Sequence, residues 1–129
     1  EEGMLVEDHD NEKQTPTLWD TALSQSEANR LNLDFGHYIA AENQNPLEII
    51  KNKHEKIVSM HLKDRKKKSN GGDNLMWGQG ETPIKEVLQL IRDNGYDFPV
   101  TIELEYDIPE GSNAVEEVKN CIAYVQSVL

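Results

Sequence analysis

At 129 residues, with 36% hydrophobic and 29% charged side chains, the chain has the make-up of one soluble domain with a core of its own. A formal net charge of −11 argues against electrostatic capture of DNA or RNA, which relies on Lys and Arg to neutralise phosphates. No apolar run nears the ~18 residues of a membrane span, and the lone Cys121 rules out an intrachain disulfide and a thiolate metal site.

The first expected element is a strand at Met4-Leu5-Val6, bounded by Gly3 and the polar stretch Glu7 to Gln14. A helix is expected over 18–29, with Leu18, Ala22 and Leu23 on one face, followed at once by a strand ending in Leu31-Asn32-Leu33-Asp34. After a small-residue turn, Pro46 opens a helix to about His54, and Ile57 to Leu62 reads as the third strand. The polar, glycine-rich stretch 66–82 reads as a long functional or mobile loop. The clearest helix follows Pro83, with Ile84, Val87, Leu88 and Ile91 on one face and Gly95 at its end. A strand at 100–104 comes next. Val115, Val118, Ile122, Val125 and Leu129 then mark the apolar face of a last helix.

Residues 1–129 therefore read as a single (β/α)4 unit, a pattern that implies parallel strands with right-handed crossovers. It fits a small doubly wound sheet or half of a (β/α)8 barrel, which needs ~250 residues in full. The abrupt opening Glu1-Glu2-Gly3 reads as the interior of a longer protein, and it lacks the basic-then-apolar order of a signal peptide. Cytoplasmic location is the expectation, with periplasmic or secreted as the alternative if a leader lies outside this sequence.

In parallel α/β folds, sites are built at the carboxyl ends of strands. Three successive strand ends here carry Asp34, His61 and Glu103. Two carboxylates and an imidazole suit one divalent ion, Mn²⁺, Mg²⁺, Co²⁺ or Zn²⁺. A fourth ligand is expected after the first strand, from Glu7 or His9, and His37 lies three residues past Asp34 as a ligand or a hydrogen-bonding group. The basic run from Lys63 to Lys68 reads as a solvated loop, with phosphate steering as the sharper alternative.

These stretches also resemble a family. Asn32-Leu33-Asp34-Phe35-Gly36-His37, Val58-Ser59-Met60-His61-Leu62-Lys63-Asp64, Trp77-Gly78-Gln79-Gly80-Glu81-Thr82-Pro83 and Thr101-Ile102-Glu103-Leu104-Glu105-Tyr106 follow one another in the order of the motifs of the sugar phosphate isomerase/epimerase family. These are xylose-isomerase-like TIM barrels, and the chain resembles their C-terminal half. The resemblance implies a divalent ion held by Asp34, His61 and Glu103. Glu7-Asp8-His9 approximates the family's E-N-H, whereas a gapless alignment through Thr15-Pro16-Thr17-Leu18-Trp19-Asp20 to a closer branch favours His9, with Glu7 second. If His9 stands where other members have Glu, one of the family's two acid/base carboxylates is unassigned.

The implied reaction is proton abstraction beside a sugar carbonyl through an enediolate, making the chain a metal-dependent isomerase or epimerase of sugars or sugar phosphates. Glu103 is the expected base, His37 and Arg65 are expected to contact substrate, Asp64 to orient His61 or Arg65, and Trp77 to stack on a sugar face. Competing readings are β-elimination on a 3-keto-glycoside and a non-catalytic scaffold or inactive fragment. A multi-metal apurinic endonuclease needs a further Asp-x-His pair, and no His follows His61. Unpaired sheet edges lead us to expect a homo-oligomer, or pairing with a complementary half barrel.

Overall fold

The computed structural model describes the backbone of residues 5–7 and 16–18 and the whole of residues 19–43 and 45–129. Four strands form one parallel sheet in the order β1 (Leu5–Glu7), β2 (Arg30–Asp34), β3 (Ile57–Leu62), β6 (Val100–Ile102). The helices between them are α1 (Pro16–Ser24), α2 (Phe35–Ala40), α3 (Pro46–Lys53) and α4 (Ile84–Asn94), and α5 (Ala114–Val128) follows the last strand.

Strand alternation gives this sheet two unlike faces. Leu31, Leu33, Met60 and Leu62 point to one side and are fully buried with Phe35, Ile50, Ile84 and Val87 in a single apolar cluster. Asn32, Asp34, Ser59, His61 and Thr101 share the other side, where Ser59 Oγ donates to Asn32 Oδ1 at 2.6 Å. A doubly wound sheet is covered on both faces and its strands read as continuously apolar. A sheet with one polar face is half of a closed layer, which decides between the two expected architectures. Leu33→Ala, at the centre of the buried face, is expected to cost about 2–5 kcal/mol, read from urea midpoints.

The two faces stay aligned across β2 and β3 because of a bulge. Leu31 lies opposite Ile57, yet Asn32 lies opposite Ser59, so Val58 is the extra residue. It is left 41% exposed, while Asp34 is brought level with His61.

Several boundaries differ from those expected. Helix α1 stops at Ser24 because Asn29 Nδ2 turns back to donate to Ala22 O at 2.8 Å. The site-like stretch to His37 and the start of the turn expected after it are instead helix α2, with Phe35, Tyr38 and Ile39 buried at i, i+3, i+4. Strand β6 ends at Ile102, although Glu103 N–H still donates to Leu62 O at 3.0 Å. The stretch 66–82 contains a 3₁₀ turn (Lys68–Asn70), and strand β5 (Asn74–Leu75) pairs antiparallel with β4 (Asp64–Arg65).

The largest correction concerns α5. Its expected apolar face is largely turned outward, with Val115 64% and Ile122 44% exposed. Glu117 and Cys121 are buried instead, with Tyr124, Val125 and Val128 packed against the core. Buried polar groups need partners, and Glu117 has them: Tyr106 Oη and Ser112 Oγ donate to its carboxylate at 2.8 and 2.5 Å. Those bonds set the rotation of the helix.

Candidate metal centre

Each candidate ligand is placed by a local rule. Asp34 ends β2 and also caps α2, its Oδ1 accepting the His37 N–H at 2.9 Å. His61 is its partner in register on β3, and Thr101 is the partner of His61 on β6. Two residues beyond Thr101, on the same face, stands Glu103. Asp34, His61 and Glu103 each offer a ligand atom, all within 4.8 Å of one another. Ligands opposed across an ion at about 2.0–2.3 Å are some 4–4.6 Å apart, so this spacing suits one divalent ion. The donor set of two carboxylates and an imidazole fits a hard or borderline metal.

Of the two residues expected to supply a fourth ligand, Glu7 ends β1 and its backbone lies opposite Asn32. His9 lies outside the described residues.

Lys63 belongs to the centre and not to the solvated loop expected from its charge run. It is 1% exposed, and its Nζ lies 2.8 Å from Asp34 Oδ2, 3.0 Å from Glu103 Oε2, 2.7 Å from Glu105 Oε2 and 2.9 Å from His37 Nε2. Burial works against its charge. The hydrogen bonds to Asp34 and Glu105, the charge of Asp34 and the bond to Glu103 outweigh that, raising its pKa above the ordinary lysine value. The legible signal was the alternation: Lys63 is two residues past His61 and so points to the same face.

Gly36 makes room for this lysine. A methyl group there would meet Lys63 Cγ at 2.3 Å, with Cε and Cδ at 3.1 and 3.2 Å. Gly36→Ala is therefore expected to push the ammonium off its carboxylates and to cost about 1–3 kcal/mol, the range for overpacking a filled site, read from urea midpoints. An unchanged midpoint would show that the lysine stem relaxes freely.

His37 is held between the two cations. Arg65 Nη1 faces its Nδ1 in a short contact, and a guanidinium can only donate, so Nδ1 accepts. Its Nε2 lies 2.9 Å from the Lys63 ammonium, which also can only donate, and 3.4 Å from Asp34 Oδ2. Arg65 is itself fixed by Nε and Nη2, which donate to Gly72 O at 3.2 and 2.8 Å.

Two residues expected to orient the site or bind substrate are engaged elsewhere. Asp64, 2% exposed, takes N–H bonds from Gly78 (2.8 Å), Gly80 (2.9 Å) and Thr82 (3.1 Å), so it holds the glycine-rich loop instead of orienting His61 or Arg65. Trp77 packs edge-on against Tyr124 of α5, with ring centroids 6.1 Å apart. An apolar ring beside a mobile loop suggested sugar stacking, but α5 supplies the partner.

The segment carrying Glu103 and Glu105 is tethered by the next residue, Tyr106, through Glu117. Burial pushes the Tyr106 hydroxyl pKa up, and the bonds from Ser112 and Tyr106 hold Glu117 below the ordinary carboxylate value. Since the folded pKa of Glu117 is the depressed one, its stabilisation is complete above about 4.5 and is lost as pH falls through the lower folded value. Glu117→Gln is expected to flatten the acid side of the Tm–pH profile, while wild type falls more steeply below that pH.

Residues 9–124 match the family model of the xylose isomerase-like TIM barrel. None of the proteins of curated function matches the sequence significantly. Among solved structures, a xylose isomerase domain protein from Planctomyces limnophilus superposes with a TM-score of 0.73 at 17% identity, over 98% of this chain and 44% of that one. A D-tagatose 3-epimerase-like protein gives 0.56 at 26% identity, over 80% of this chain and 37% of that one. A xylose isomerase-like TIM barrel protein from Mycobacterium smegmatis, in complex with magnesium, gives 0.64 at 18% identity, over 98% and 43%. The chain thus spans less than half the length of the structures it resembles. With a model match across nearly its whole length and a parallel sheet bearing one polar face, the chain belongs to the xylose isomerase-like TIM barrel family and carries part of that barrel.

Proposed function

We propose that this chain carries the metal-binding strand ends of a divalent-metal-dependent sugar or sugar phosphate isomerase/epimerase, with residues 1–129 acting as one (β/α)4 unit of the barrel. The observation that carries the reading is the convergence of Asp34, His61 and Glu103 within 4.8 Å on one polar face. The likeness to a D-tagatose 3-epimerase-like protein supports the substrate class. A bound Mn²⁺, Mg²⁺, Co²⁺ or Zn²⁺ would polarise a substrate carbonyl and take up developing negative charge.

The residues around it divide the remaining work. Glu103 is the candidate base: Oε2 is held by Lys63, while Oε1 faces His61 Nδ1 at 3.6 Å. His37, fixed between Arg65 and Lys63, is placed to hydrogen-bond a substrate hydroxyl beside Asp34. Arg65 lies one imidazole further out as a candidate for a substrate's anionic group. His9 or Glu7 would complete the ligand set. Net charge −11 is consistent with a small-molecule substrate, and no described helix is long and apolar enough to cross a membrane.

The test is solvent proton exchange into keto-sugars, followed by NMR in D2O with the full chain and Mn²⁺. Exchange that requires the metal and disappears in Glu103→Gln supports the reading. Release of an aglycone from a 3-keto-glycoside would redirect it to elimination, and neither reaction in a metal-loaded protein would leave a scaffold. Size exclusion of the same samples checks the expected self-association; a clean monomer would refute that part.

A further inference from the structure

Lys63 has more carboxylates around it than one ammonium neutralises. Asp34, Glu103 and Glu105 all lie within 3.0 Å of Nζ, leaving two formal negative charges over. One divalent ion would cancel them. Two of the three carboxylates, Asp34 and Glu103, also belong to the group whose ligand atoms converge with His61, whereas Glu105 does not. Glu103 divides its oxygens between the two positions, Oε2 to Lys63 and Oε1 toward His61.

We propose that Lys63 is a built-in second cation: its ammonium fills one half of a two-cation centre bridged by Asp34 and Glu103, so that the centre takes one divalent ion beside it and not a pair. This rests on the metal reading of Asp34, His61 and Glu103 given above. The competing arrangement has the ammonium standing where the single ion goes, to be expelled on loading. The geometry disfavours it. The stem of Lys63 passes against the bare Cα of Gly36, so the lysine has a fitted path to this position, and Glu105 is a partner that the His61 group does not share. Lys63 acts here as a positioning residue, fixing which oxygen of Glu103 is left for the ion. The surroundings of Nζ, three carboxylate oxygens with His37 Nε2 at 2.9 Å, are those of a cation site in their own right.

The experiment is Mn²⁺ stoichiometry on the chelator-stripped full chain, by calorimetry and electron paramagnetic resonance, comparing wild type with Lys63→Met. The variant is expected to bind one more equivalent than wild type and to show the spectrum of a spin-coupled Mn²⁺ pair. An equal count in the two proteins overturns the proposal. The wild-type count tests the underlying reading separately, since a wild type that takes up no ion defeats the metal centre whatever Lys63 does. Because a variant at so buried a residue can fail to fold, the side-chain ¹⁵N signal of Lys63 in wild type is followed as Zn²⁺ is added. A retained ammonium, still protected from exchange with water, supports the second-cation role; release to the exchange rate of surface lysines refutes it.

Discussion

Asp34→Ala is expected to abolish tight divalent-ion binding and to destabilise the chain by about 3–5 kcal/mol, the range for breaking a buried ion pair. Asp34 does three things at once: it offers a ligand atom, it accepts from the buried Lys63 ammonium at 2.8 Å, and it caps α2 through His37 N–H. Asp34→Asn separates them. Asparagine is as good an N-cap as aspartate, so the ~1 kcal/mol of the cap is retained while the charge is lost. The asparagine variant should therefore fold better than the alanine variant, yet lose metal affinity by more than the ~10–100-fold typical of losing an outer partner. Calorimetry with Mn²⁺ and urea unfolding of both variants check this. Wild-type affinity in Asp34→Asn would remove Asp34 from the ligand set.

Asp64→Ala should be as damaging to stability without removing any ligand. One buried carboxylate receives three backbone N–H groups of the loop between β5 and α4, and hydrogen bonds to a charged group contribute about 1.5–3 kcal/mol each. Losing all three is expected to cost about 3–5 kcal/mol. The loop is built closely around this carboxylate: a methyl group on Gly80 would lie 2.2 Å from Asp64 Oδ1. Amide hydrogen exchange gives the local readout, with protection falling at Gly78, Gly80 and Thr82 before the sheet is affected. If those amides stay protected in the variant, Asp64 is not what holds the loop.

The parallel strands and the convergence of Asp34, His61 and Glu103 were legible because both follow from short-range regularities: β-branched and apolar runs, and side chains projecting at strand ends. What escaped depended on contacts distant in sequence. The apolar spacing of α5 indicated a helix, but which side faces inward was decided by the bonds from Tyr106 and Ser112 to Glu117. The stretch 66–82 is polar and glycine-rich and so read as mobile, because nothing local shows that Asp64 organises it. Lys63 was hidden by its neighbours, Arg65 to Lys68, whose charges suggested solvent for the whole run. Its place two residues after His61 carried the opposite message. Helix α2 was missed for a different reason. At six residues it is too short to display a period, and it owes its start to the Asp34 cap.

The bulge at Val58 makes the chemistry and the hydrophobic core answer to a single alignment. Were Val58 taken into the ladder as an ordinary residue, Asp34 would pair with Met60 instead of His61, and β2 would offer its carboxylate where β3 offers its apolar side. Inserting one residue between Ser59 and Met60 would thus be a folding lesion and a functional lesion in the same stroke. Lengthening the loops at either end of that strand should be neutral by comparison. Insertions can accumulate in the connections of such a chain, while the count of residues within β3 admits no addition.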